Sequence, residues 1–391
     1  MTRRPPLYWP KDYRAYFNTL LKPALDALPR LTPLVSGCNR VMKFDFEHQL
    51  KALVYLHLQG FESGRELVQA LQEDSFASAN VAPADGVEKS AFFEAINSRG
   101  MPQLLQLFHI LQDKARCCLP NFHPQLGDLV GIDGSLIDAV QSMRFADYRK
   151  GVQKAKVHLG FNLNQSVPEK VFLSKGKADE RPFVSQLIKP GQTGVMDRGY
   201  QCHKQFDQWQ REEKHFVCRI KKSTHKTILQ ENPVIADSIV FLDVKAFLGL
   251  QATSLTEMPV RVIGYSVKGK DFYLATDRFD LSAEDLALIY KLRWDIEIFF
   301  GWWKRHLKVY HLIARTEHGL MVQILAGLIT YLLLAIYCHE QHNEKVNIKR
   351  VRELRFKIHN ELVESMAARE ECPPPAANRS EPDIYQSHAI F

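Results

Sequence analysis

The chain has no Cys-x-x-Cys pair, and its seven cysteines are scattered: Cys38, Cys117, Cys118, Cys202, Cys218, Cys338 and Cys372. An odd set without paired spacing points to neither a disulfide framework nor a zinc site. There is no internal repeat and no long low-complexity tract. The N-terminus, Met-Thr-Arg-Arg-Pro-Pro-Leu-Tyr-Trp, has no apolar stretch of signal-peptide length, so the chain reads as cytoplasmic. Charge of either sign is scarcely in excess: 51 Lys and Arg against 44 Asp and Glu, a net +7 and a pI near 8.9. That balance suits a polyanionic partner without demanding one, and fits a merely basic soluble protein equally well.

What is present is bulk. With 391 residues and 46% hydrophobic content, the chain can build one large core plus one or two smaller modules. One run, Gly319 to Cys338, is long and apolar enough to cross a bilayer. Gln323 and Thr330 interrupt it, no second span exists, and Arg315, Glu317 and His318 on one side face His339, Glu340 and His342 on the other. An all-round apolar helix buried in a large protein is the expected reading, with no membrane partner.

Three compositional zones follow one another. Residues 1–125 are helix-like: Glu47 to Gly60 carries Leu50, Leu53, Val54, Leu56 and Leu58, Ser63 can cap a second helix through Leu71, and Met101 to Leu111 forms another apolar segment. Such a bundle can dock on DNA through Lys89, Ser90 and Arg99, or simply pack on its neighbour. Residues 126–221 turn strand-like at Leu129 to Val140, Lys156 to Asn164, Lys170 to Ser174, Thr193 to Met196 and His215 to Ile220, with helical stretches at Arg181 to Ile188 and Lys204 to Glu213. This order predicts an α/β fold with a mixed sheet flanked by helices. Residues 222–280 are a β-rich insertion, helical text resumes over 281–345, and 346–391 reads as a C-terminal helix and a disordered tail.

Two aspartates fall at predicted strand ends in turns that contain glycine, Asp133 in Gly-Ile-Asp-Gly-Ser and Asp197 in Val-Met-Asp-Arg-Gly-Tyr. Each alone reads equally as an ordinary turn residue. A single helix from Ser282 to Lys308, stepped at about 100° per residue, places Tyr290, Arg293, Glu297 and Lys304 on one face. Leu292, Ile296, Phe299 and Trp303 take the opposite face. On residue chemistry this is either a working face or a solvated one supported by an ordinary Arg293–Glu297 pair.

The spacing Tyr-x2-Arg-x3-Glu-x6-Lys resembles the signature of insertion-sequence-4 family DDE transposases, and Asp133 and Asp197 match the first two acids of that family's triad in order. The likeness extends over about residues 40–345. It implies a ribonuclease H-like core with a β-rich insertion before the glutamate helix, in a bacterial cytoplasmic protein, nucleoid-associated when on DNA. It further implies hydrolytic cleavage at element ends followed by attack of a 3′-hydroxyl on target DNA, through two Mg²⁺ ions for which Mn²⁺ can substitute. The catalytic and metal-binding residues would then be Asp133, Asp197 and Glu297, with Asp133 bridging the ions. Two divalent ions suit this chemistry because in-line displacement at a phosphodiester loads negative charge onto the attacking and leaving oxygens, and hard oxygen ligands suit Mg²⁺. The partners would be inverted terminal repeats and target DNA, both double-stranded, bound by a dimer.

Arg293 and Lys304 then suit phosphate contacts. Tyr290 suits a phosphate contact or packing, and Trp294 base stacking or a place at the core boundary. Arg198 can contact DNA or pair with the acids, and Arg149, Lys150, Lys154 and Lys156 can follow a phosphate backbone or form a solvated edge. His158 reads as a structural strand histidine and Asp138 as a surface acid.

Overall fold

The structure is a computed structural model that describes residues 14–35, 42–149, 151–250, 254–308, 311–344 and 348–370. Six helices come first: α1 (Arg14–Leu25), α2 (Phe46–Gln59), α3 (Gly64–Glu73), α4 (Ser75–Asn80), α5 (Lys89–Ser98) and α6 (Met101–Cys118). Their starts obey capping chemistry. The Asp45 carboxylate accepts from the His48 amide, and the Ser63 hydroxyl accepts from the Glu66 amide, each satisfying an amide that the first turn leaves free.

The sheet is built from β1 (Asp128–Asp138), β2 (Asp147–Arg149), β3 (Val152–Asn162), β4 (Val167–Lys175), β5 (Gln192–Met196), β6 (His215–Arg219), β7 (Lys226–Glu231), β8 (Val240–Leu248), β9 (Val260–Val267) and β10 (Lys270–Thr276). Between them lie α7 (Val184–Leu187), after β4, and α8 (His203–Arg211), after β5. Strand β3 runs antiparallel to both β1 and β4, while β1, β5 and β6 are mutually parallel. A meander of three strands followed by two parallel additions beside the first is the expected ribonuclease H-like sheet flanked by helices. The β-rich segment does not stand apart from it. Strand β10 pairs antiparallel with β6, and β9, β8 and β7 follow in order, so the insertion prolongs the same sheet.

Four more helices follow among the described residues: α9 (Ala283–Leu292), α10 (Trp294–His306), α11 (Glu317–His342) and α12 (Ile348–Glu370). The single helix expected from Ser282 to Lys308 is a correction, because Arg293 is a turn residue between α9 and α10. No Gly or Pro marks this break. Helix α9 packs on β5, β6, β8 and β9, whereas α10 packs on β1 and α12, so the two segments dock on different partners. Helix α12 runs to Glu370.

The apolar run is α11, and it lies inside the protein. Its residues from Leu320 to Cys338 are buried save Met321, which is partly so, against α1, α2, α5, α6 and β4. Thr316 caps it, the hydroxyl accepting from the Gly319 amide at 3.0 Å. Gln323 is held in place by its own hydrogen bonds to the backbone at Ile313 and His311. The N-terminal helices therefore share one continuous core with α10 and α11. Each fully buried Leu in it contributes about 1.5–3 kcal/mol.

Candidate functional site

Strand register brings the first two acids together. Gly131 of β1 pairs with Val195 of β5 in parallel, and two residues on from each stand Asp133 and Asp197. Adjacent strands lie about 4.8 Å apart, so the two carboxylates arise at the same level of neighbouring strands. Asp133 is not in a turn, as the sequence suggested, but midway along β1, which goes on pairing with β3 as far as Asp138. Because β5 stops at Met196, the edge of β1 facing it opens at Asp133, and the site lies in that opening.

Local bonds hold each acid. The Gly134 amide donates to Asp133 Oδ1 at 2.9 Å. The Gly199 amide donates to Asp197 Oδ1 at 2.7 Å, so Asp197 caps the short turn Arg198–Tyr200. Burial pushes the Asp133 carboxyl up to about 7, with the charges of Glu180 and Asp197 adding to the effect and the Gly134 amide and Arg293 opposing it. Burial and two neighbouring carboxylates thus favour the neutral form of Asp133.

Glu297 reaches this group through an intermediary. Arg293 Nη2 donates to Glu297 Oε1 at 2.5 Å, and the Arg293 guanidinium also lies in the field of Asp133. With Arg293 placed so, no three His, Cys, Asp or Glu side chains among the described residues form a group able to hold a metal ion. The carboxylate oxygens of the two aspartates are donors that suit a hard divalent cation. Glu297 is engaged with Arg293 instead.

Of the signature residues, Tyr290, Arg293 and Glu297 are in contact with one another, and Lys304 is bonded to β1. Tyr290 is buried on α9, 6.3 Å ring to ring from Phe272, with Arg293 over its face at 5.4 Å. Burial raises its phenol, and Arg293 and Arg219 oppose this. Packing is what its position shows, rather than a place on an open face. The Lys304 ammonium donates to the Leu136 carbonyl of β1 at 2.7 Å and is half-buried, so it ties α10 to the sheet. Trp294 is 58% exposed and Ile298, one turn on, 44%. Ile296, Phe299 and Trp303 are fully buried on the other side of α10.

The basic stretch resolves into different cases. Lys156 bonds Glu180 Oε1 at 2.8 Å and the Ala178 carbonyl at 3.0 Å, and Lys154 bonds Asp138 Oδ1 at 2.6 Å. Neither presents an uncommitted charge. Arg149 is exposed, lying over the Tyr148 ring. Lys150 lies outside the described residues. Arg198 is exposed, and a cleft of about 740 Å³ runs from Asp197 along Arg198, Lys204 and Lys221. His158 stacks on Phe183 at 3.8 Å and meets the Ser174 hydroxyl at 2.8 Å, buried as a structural histidine would be. In the N-terminal bundle, Lys89 and Ser90 are exposed, but the Arg99 guanidinium turns inward to Met42 and the Ala91 carbonyl. In α12, Arg355 is buried and donates twice to the His57 carbonyl, unlike the solvated charges Arg352 and Lys357 beside it.

Glu180, Tyr200 and Arg219 were not legible as site residues. Tyr200 sits in the Asp-Arg-Gly-Tyr motif, which was a signal. Glu180 follows a strand in polar text and carried none. Arg219 ends β6 with its guanidinium 4.7 Å from the Phe272 ring.

Comparison with known proteins places this geometry. Residues 125–333 match the family model described as the transposase DDE domain. The chain is 29% identical over 206 residues to a transposase for insertion sequence element IS5377 of Geobacillus stearothermophilus, covering 52% of this chain and 54% of that protein. It is 24% identical over 221 residues to a transposase for insertion sequence element IS4SA of Synechocystis, covering 54% of this chain and 60% of that one. A third relative, transposase y4zB of Sinorhizobium fredii, is 25% identical over 214 residues. The matches span a little over half the length of these curated relatives.

Proposed function

The chain belongs to the transposase DDE-domain family, and we propose that it is a DNA transposase whose site is Asp133, Asp197 and Glu297. The observation that carries this is the parallel register that sets Asp133 beside Asp197; the bond from Glu297 to Arg293, whose charge acts on Asp133, supports adding Glu297 to them. The Tyr290, Arg293, Glu297 and Lys304 spacing supports placement in the insertion-sequence-4 branch.

Asp133 and Asp197, joined by Glu297, would hold two Mg²⁺ or Mn²⁺ ions. When bound, such ions stabilise charge on the attacking and leaving oxygens of a phosphodiester. The protein's own residues do the rest. Arg293 exchanges Glu297 for a phosphate oxygen near the scissile bond, which it can grip with paired hydrogen bonds, and this frees the glutamate. Lys304 anchors α10 to β1 at Leu136 and so keeps Glu297 level with Asp133. Tyr290 supports Arg293 from below through its ring. Trp294, exposed at the rim, is suited to stack on an unpaired base. The cleft at Arg198, Lys204 and Lys221 offers positive charge to a backbone leaving the site, and Arg149 continues that role at the opposite edge.

The substrate is double-stranded DNA with inverted terminal repeats, and joining two ends to a target calls for a dimer on DNA. Residues 14–118 and α12 brace α11 and supply the surface for DNA outside the site.

The test uses full-length protein, Mn²⁺ and DNA carrying the element's terminal repeats from the genomic flanks. Nicked ends and, from a pre-cut 3′-hydroxyl end, joined product are expected. Cleavage without joining would make the protein a nuclease of the same fold.

A further inference from the structure

Beyond the three acids, a fourth carboxylate stands against Asp133. Glu180 lies between β4 and α7, and both of its oxygens are occupied. Lys156 of β3 bonds Oε1 at 2.8 Å, and the Tyr200 hydroxyl donates to Oε2 at 2.8 Å. Tyr200 is buried and closes the turn that begins at Asp197. The carboxyl also rests on β1 at Gly134, where a Cβ would come within 2.7 Å of it. The glycine after Asp133 thus leaves room for Glu180, and its backbone is not in the left-handed region that would demand glycine on other grounds. Four segments meet at one side chain: β1 at Gly134, β3 at Lys156, the connection after β4, and the turn after β5.

We propose that Glu180 is a positioning residue, clamped by Lys156 and Tyr200, that holds the Asp197 turn against β1 and so sets the placement of Asp197 relative to Asp133. The inference rests on the reading of those two acids as the cation-binding pair. Asp197 is otherwise held by the Gly199 amide on its carboxylate and by the Tyr200 amide and Cys218 Sγ on its carbonyl, contacts that reach its own turn and β6 but not β1, and β5 has already ended. Without the clamp the turn keeps its links to β6 and to Lys221 beyond it and the Tyr200 ring packing in the core, while the side-chain link through Glu180 toward β1 is gone. Side chains that orient metal ligands from behind typically change metal affinity about 10–100-fold when removed.

Three variants break the clamp at different points. Glu180→Ala removes it, Tyr200→Phe deletes the hydroxyl alone, and Gly134→Ala displaces the flexible end of Glu180 while leaving the strand backbone as it is. Each full-length protein, first shown to melt cooperatively, is titrated with Mn²⁺ by calorimetry. Hydrogen exchange is followed at the Gly199 amide, which bonds Asp197. All three are expected to weaken Mn²⁺ binding about tenfold or more and to speed exchange at Gly199. The Gly134→Ala and Tyr200→Phe pair is expected to lose no more than the worse single, since both break one link.

Wild-type Mn²⁺ affinity in Glu180→Ala, or full additivity of the pair, overturns the proposal. Weakened binding in Glu180→Ala with none in Tyr200→Phe or Gly134→Ala also overturns it, because Glu180 would then act as a direct ligand. If the wild type binds no Mn²⁺, the reading of the acid pair fails, while faster Gly199 exchange in the variants still supports the clamp itself.

Discussion

Arg293 stands between Glu297 and Asp133: its Nη2 donates to Glu297 Oε1 at 2.5 Å while the guanidinium offsets the charge of Asp133. The Arg293 charge thus acts on both carboxylates at once. Replacing Glu297 by Gln keeps the shape of α10 and removes the charge. We expect DNA-end cleavage to fall by at least about 10²–10³-fold, the scale for losing one charge-stabilising group. Binding of the same DNA, measured by gel shift, should change little. Equal loss of binding and cleavage would place Glu297 outside the chemistry.

Asp133 carries a cost in the protein without metal. Its folded value, pushed up to about 7 by burial, exceeds that of the unfolded chain. Between about pH 4 and 7 the folded state therefore keeps a proton that the unfolded state has lost, and stability falls as pH rises through that window. Asp133→Asn should therefore melt higher than wild type at pH 8, by on the order of 2–4 kcal/mol, and match it near pH 4. Mn²⁺ should raise the wild-type melting temperature at pH 8 and leave the variant where it is.

His57 runs in the opposite sense. Burial pushes its imidazole down to about 4, the Arg355 charge adding to this and hydrogen bonds to backbone at Leu307 and Gln323 opposing it. The folded value lies below the unfolded one, so stability present above about pH 6.5 is lost as pH falls toward 4. In His57→Gln the overall melting temperature drops, and the part of the acid slope between pH 6.5 and 4 due to this group disappears. Thermal melts across that range decide it, an unchanged slope counting against the assignment.

Leu332 lies wholly buried at the middle of α11. Truncation to Ala should cost about 2–5 kcal/mol, as for a core leucine in water, measured by denaturant unfolding without detergent. A change below about 0.5 kcal/mol, typical of surface positions, would mean that the helix is not packed as described.

Trp294, by contrast, is 58% exposed. Trp294→Ala should leave stability within about 0.5 kcal/mol. Its affinity for DNA ends with an unpaired terminal base should fall by the roughly 1–3 kcal/mol of a base–aromatic stack. Equal affinity in both proteins would return Trp294 to the rim of the core.

The legible parts of this protein are those with local causes. Capping at Ser63 and Ser282 depends on a hydroxyl and an amide three residues on, and α11 on a long apolar run. The burial of Ile296, Phe299 and Trp303 follows from helical spacing alone. Asp133, Asp197 and Glu297 were singled out by a motif whose residues lie far apart in the chain, so resemblance supplied what no local rule contains.

What only the tertiary structure decided is non-local. The register of β1 against β5 sets the two aspartates side by side, and that register depends on hydrogen bonds between segments some 64 residues apart, Asp128 pairing with Gln192. The break at Arg293 arises because α9 and α10 dock on different surfaces. Lys154, Lys156 and Lys304 look alike in sequence as positive charge available to phosphate, yet each is taken by a partner that folding brings: Asp138, Glu180 and the Leu136 carbonyl. Composition and period determine which faces are apolar and which residues are charged. Which charges meet depends on strand register and helix docking, where one residue of slip would exchange every partner.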